Sequence, residues 1–128
     1  MVKKPEIQSY RDLKVWQLAM DLVVVCYGIA AKLPASENYG LSSDLKRHSR
    51  LVAAYIADGK GRRTLGDYIS KLSAAHGSLM ALETDLLTTE RLSFLCLEDL
   101  QPALDMSTSI GKMLNRLMTN LSSGRPEN

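Results

Sequence analysis

Residues 64–87, TLGDYISKLSAAHGSLMALETDLL, set the fold class. Thr64 stands three residues before Asp67, the spacing of a helix N-terminal cap, and Tyr68, Ile69, Leu72, Ala75, Leu79, Leu82 and Leu86 then recur every three or four residues. That period predicts an amphipathic helix with one apolar stripe, which must be buried against other helices. The rest of the chain agrees: it is 45% hydrophobic but only 5% aromatic, and its apolar set is dominated by Leu, Ala and Met, which favour helix over sheet. A chain of 128 residues forms one domain with a single core.

Upstream, DGKGRR at 58–63 reads as a corner, with Gly59 in a left-handed helix stop and Gly61 turning the chain before the Thr64 cap. A second helix is predicted from about Ser42 to Gly59, with Asp44 near its positive end and Leu45, Val52, Tyr55 and Ile56 inward. PASENYG at 34–40 is a turn by composition. Before it, Ser9 and Asp12 resemble a capping box, and Leu13, Trp16, Met20, Val23, Tyr27 and Ala30 form the inner stripe of a first helix that Pro34 ends. Leu22, Val24, Val25 and Ile29 widen that stripe beyond one seam, which points to a helix covered on more than one side, the second cover being another copy of the chain.

Downstream, residues 88–96 break the period and read as a connection. A fourth helix is predicted from about Leu97 to Leu121, with Leu100, Leu104, Ile110, Leu114, Leu117 and Leu121 inward and Pro102 acceptable in a first turn. The expectation is an all-α, antiparallel up-down-up-down four-helix bundle over residues 9–121, between a flexible arm (1–8) and a disordered tail (122–128).

The longest apolar run, Leu22 to Ala31, is about half of the ~20 residues that span a bilayer, and the N-terminus lacks a secretory pattern, so a cytoplasmic protein is expected. Cys26 and Cys96 lie far apart without metal spacing and read as buried, reduced thiols.

The glycines, lysine and arginines at 58–63 raise the question of a phosphate loop. The G-x-x-x-x-G-K-[ST] pattern is absent and no strand precedes the stretch, so nucleotide binding is not expected. Neither His48 nor His76 follows a Glu by three residues, and zinc spacing is missing; no catalytic residue, metal or cofactor is expected. Charge is more informative. The net charge of +2 conceals 12 Lys or Arg against 7 Asp or Glu in residues 1–71, and 4 against 7 in residues 72–128. Lys46, Arg47, Arg50, Lys60, Arg62 and Arg63 are the candidate nucleic-acid-binding residues, expected to make one basic patch with Lys71 and able to contact phosphates without reading sequence; solvated helix ends that favour cations are the other reading.

Three stretches carry a resemblance: YRDLKVWQLAMDLV at 10–23, IADGKGRR at 56–63 and HGSLMALETDLL at 76–87. They resemble the four-helix-bundle proteins encoded within intervening sequences of bacterial large-subunit ribosomal RNA genes, also labelled S-twenty-three ribosomal proteins. That family is similar to the accessory variability protein of diversity-generating retroelements, and the resemblance implies a homopentameric ring with nucleic acid and a reverse transcriptase as partners. Relatives carry a proline before the corner where this chain has Val52–Tyr55, so its second helix is expected to be straighter. Together these readings predict a non-enzymatic homo-oligomer that binds RNA or DNA nonspecifically, or, alternatively, a protein–protein interaction scaffold with no nucleic-acid role.

Overall fold

A computed structural model describes residues 7–128; the N-terminal arm expected over 1–8 lies outside the described residues as far as residue 6. Four helices follow in order: α1 (Lys14–Ala31), α2 (Leu41–Lys60), α3 (Leu65–Arg91) and α4 (Leu97–Ser122), with no strand among the described residues. Each packs on its neighbour in sequence, and α4 closes on α1, which makes the chain an up-and-down four-helix protein.

The Ser9–Asp12 box forms, but it caps a three-residue 3₁₀ turn, Tyr10–Asp12, rather than α1 itself. Asp12 Oδ2 accepts from the Gln8 and Ser9 N–H groups, and Ser9 Oγ from Arg11 N–H. Leu13, the N-cap of α1, supplies no side-chain cap. At α3 the predicted cap is present, with the Asp67 N–H donating to Thr64 Oγ1 at 3.1 Å.

The core is a column of fully buried aliphatic side chains, among them Leu22 on α1, Leu45 and Ile56 on α2, Leu72, Leu79, Leu82 and Leu86 on α3, and Leu100, Ile110 and Leu114 on α4. Burying each contributes about 1.5–3 kcal/mol relative to exposure. The stripe expected for α1 is out of phase. Val15, Ala19, Leu22, Cys26, Ile29 and Ala30 are buried, whereas Trp16, Val23 and Tyr27 are half-buried and Met20 is exposed. The helix is apolar over so much of its circumference that periodicity alone does not choose the phase. By length and composition α1 is also apolar enough to cross a membrane, with a mean hydropathy of 1.4; here its buried face is part of the bundle core.

Three further differences concern ends. Helix α3 runs to Arg91, through residues expected to connect, because its buried face continues from Leu82 through Leu86 to Thr89, whose hydroxyl is satisfied by the Asp85 carbonyl. Gly59 is not a left-handed stop: it lies buried inside α2, and the only glycine with positive φ among the described residues is Gly124. A Cβ at Gly59 would sit 3.0 Å from Lys71 Cβ and 3.1 Å from the Tyr68 carbonyl oxygen, so α3 crosses α2 where there is no side chain. Finally, residues 123–128, expected to be disordered, turn back onto the bundle. Gly124 adopts φ 71°, Arg125 N–H donates to the Asn120 carbonyl at 2.8 Å, and Asn120 Nδ2 donates to the Pro126 carbonyl at 3.0 Å.

Candidate functional site

Helix α2 carries most of the predicted cations and divides them into two groups. Lys46, Arg47 and Arg50 lie in its first half, and Lys60, Arg62 and Arg63 at and beyond its end. At ~1.5 Å rise per residue the groups are on the order of 20 Å apart along the helix, so they form two clusters rather than one.

In the first cluster, Lys46 Nζ lies 5.4 Å from the centre of the Tyr27 ring and Arg50 Nη1 donates to Tyr27 Oη. Arg47 pairs with Asp44 at 3.4 Å. Beside it, His48 Nδ1 and Asp85 Oδ2 are 2.5 Å apart in a partly buried link between α2 and α3. Burial raises the Asp85 carboxyl above the usual carboxylate range, opposed by the hydrogen bond to His48. Cys26 is fully buried, and its desolvated thiol is pushed up to about 12, with the Asp85 charge adding to the shift. That makes it inert as a nucleophile; Cys96, also expected to be buried, is instead exposed at the N-cap of α4, where its thiol donates to Asp99.

In the second cluster Asp58 binds two cations. Arg62 Nε and Nη2 donate to its two oxygens at 2.9 and 3.1 Å, and Lys71 Nζ lies 3.4 Å from Oδ2. The Arg62 hydrogen bonds hold the Asp58 carboxyl below its usual range. Lys60 Nζ donates to both oxygens of Glu127 at 2.9 and 2.8 Å, and Tyr68 Oη donates to Glu127 Oε1 at 2.9 Å. Burial, with the Glu127 hydrogen bond second, raises the Tyr68 hydroxyl far above its ordinary value. Arg63 is exposed. Arg47, Lys60 and Arg62 therefore have carboxylate partners, whereas Lys46, Arg50 and Arg63 have none among the described residues. The Asp58–Arg62 pair was readable from its i,i+4 spacing. Nothing local in the sequence announces Glu127, which meets Lys60 from 67 residues away.

Sequence reasoning also missed a groove of about 330 Å³ between α1 and α2, walled by Tyr10, Trp16, Met20, Val23 and Ala54 and closed at one end by Arg50. Further along α1, Val24 is 73% exposed. A second set of exposed apolar side chains, Met80 and Leu87, stands on α3. Helices α1 and α3 share no seam, so the two sets lie on diagonal corners of the bundle.

These features define a class: an all-α four-helix module with two apolar outer faces and a partly neutralised set of cations. The chain belongs to the 23S rRNA-intervening sequence protein family, which it matches over residues 11–116, from the 3₁₀ turn before α1 to the closing turns of α4. Among curated proteins none matches the chain.

Proposed function

We propose that this chain is a non-enzymatic scaffold that assembles head to tail with copies of itself, the α1–α2 groove of one protomer receiving the α3 face of the next. The reading rests on the two apolar faces on diagonal helices: Met20 and Val24 are 41% and 73% exposed, Met80 and Leu87 39% and 48%. Two different faces that bury each other make a heterologous contact, which closes into a ring when the rotation allows. Charge supports a second copy as the occupant, because the groove ends at Arg50 while α4, next to α3, begins with Glu98 and Asp99.

Light scattering and native mass spectrometry test this with two variants. Met20→Glu, in the groove wall, blocks one face and Leu87→Glu the other, so each alone is expected to be monomeric and an equimolar mixture to form a one-to-one dimer through the two intact faces. A wild-type protein that stays monomeric at high micromolar concentration, or a mixture in which no dimer forms, overturns the reading.

A second reading, nonspecific RNA or DNA binding, is favoured by Lys46, Arg50 and Arg63, the predicted cations with no carboxylate partner among the described residues. It is an alternative to the head-to-tail assembly, which engages Arg50 at the groove. Titration of the protein with 20-nucleotide RNA and DNA at two salt concentrations is expected to show affinity that falls as salt rises, and a smaller salt slope for the triple alanine variant at these positions. Equal slopes exclude the three residues.

A further inference from the structure

The Glu127 carboxylate sits in a site built by distant parts of the chain. Lys60 Nζ and Tyr68 Oη give it three hydrogen bonds of 2.8–2.9 Å, and the Lys60 and Glu127 side chains are only 22% and 18% exposed. Next to it is a cavity of about 110 Å³ to which Lys14 and Arg116 contribute, with Glu127 and Asn128 forming part of its wall. One cation and a phenol thus bind the carboxylate directly, and two further cations line the cavity beside it.

The same tail completes a helix end. Asn128 Oδ1 accepts from the Lys14 N–H at 3.0 Å, while its Nδ2 donates to the Asp12 carbonyl at 2.9 Å. Lys14 is the first residue of α1, and its N–H is one of the donors that a helix leaves unpaired. Leu13 cannot cap it, so a side chain from the other end of the described chain does.

We propose that residues 123–128 form a displaceable latch over an oxyanion site, with Glu127 holding the place that clustered phosphate groups take when Lys60, Tyr68, Lys14 and Arg116 bind a polyanion. The chemistry fits: lysine is a point-charge donor to phosphate, the phenol donates to an anionic oxygen, and a phosphate group has more acceptor oxygens than the carboxylate it displaces. Fastening of the latch hides Lys60, and release exposes it together with the α1 N-terminus. This deepens the nucleic-acid reading above when the polyanion is a nucleic-acid backbone, and stands apart from it when it is free polyphosphate.

Calorimetric titration at low salt with inorganic tripolyphosphate and with a 20-nucleotide RNA, alongside amide hydrogen exchange at Lys14, tests the latch. Glu127→Gln is expected to bind tripolyphosphate roughly tenfold more tightly than wild type, the effect of removing one charged internal competitor. Asp105→Asn, which changes net charge equally on an exposed face of α4, is expected to leave affinity within twofold. Adding Lys60→Ala to Glu127→Gln is expected to abolish the gain, and saturating ligand to speed Lys14 exchange in wild type as Asn128 departs. Equal gains in Glu127→Gln and Asp105→Asn, unchanged Lys14 protection under saturating ligand, or no binding of either probe to any variant overturns the proposal. The same variant pattern with RNA identifies the phosphodiester backbone as the ligand, and a response to tripolyphosphate alone identifies free polyphosphate. RNA binding that ignores Glu127 removes the latch while leaving the Lys46, Arg50 and Arg63 reading intact.

Discussion

A methyl group at Gly59 would press on Lys71 Cβ at 3.0 Å and on the Tyr68 backbone oxygen at 3.1 Å, and a backbone atom cannot rotate away. At Gly61 the nearest atoms are the Asp58 and Ala57 carbonyl oxygens at 3.5 and 3.7 Å, and φ is −79°. The two glycines therefore separate in denaturant titrations. Gly59→Ala is expected to lose about 1–3 kcal/mol through overpacking between α2 and α3. Gly61→Ala is expected to be neutral or to gain up to about 1 kcal/mol by restricting the unfolded chain. Equal losses at both positions would show that the crossing at Gly59 is looser than described. The sequence marks both glycines as structural, but close approach of two helices leaves no local trace, so a stop signal and a packing notch look alike.

The ends of α3 and α4 use one device with different residues. After α3, Ser93 takes φ 61°, with Ser93 N–H donating to the Glu90 carbonyl and Phe94 N–H to that of Thr89. After α4, Gly124 takes φ 71°, with Gly124 and Arg125 donating to Leu121 and Asn120. Both are left-handed caps that satisfy the last carbonyls, and only one has the residue without a Cβ penalty. Replacing Ser93 with Gly is expected to raise stability by up to about 1 kcal/mol and to leave the helix content unchanged; a loss of stability would mean that the Ser93 side chain contributes contacts of its own. Element by element, α3 and α4 were legible because their leucines recur on one narrow face. The Gly124 and Pro126 pair was itself a readable stop signal, although where the chain went next was not. Pro102 lies one turn deeper in α4 than its expected place, on an exposed side of the helix, and supplies no amide to the Glu98 carbonyl.

For the whole molecule, number of helices, up-and-down order and the corner at 58–63 followed from periodicity, caps and breakers. What did not follow was the orientation of α1 and the pairing of charges. An all-round apolar helix has no preferred phase until its neighbours are in place, so the Trp16, Met20 and Val23 stripe read as core and proved to be groove wall. Charges fared similarly. Lys60 was recognised as a cation at a corner, but its carboxylate arrives from the tail beyond α4 and its phenol from α3, by contacts that only the closed bundle creates.

The order in which the helices touch also governs how the chain reaches this state. Three of the four seams join helices adjacent in sequence, two of them across the short connections 61–64 and 92–96, so most of the core assembles through local encounters. Chains with such topology fold in roughly microseconds to milliseconds. The α1–α4 seam is different, because it closes a loop spanning nearly the whole chain and bears that entropy alone. It is therefore expected to be the last seam to form, and Asn128, bridging Asp12 and Lys14, ties its two sides together.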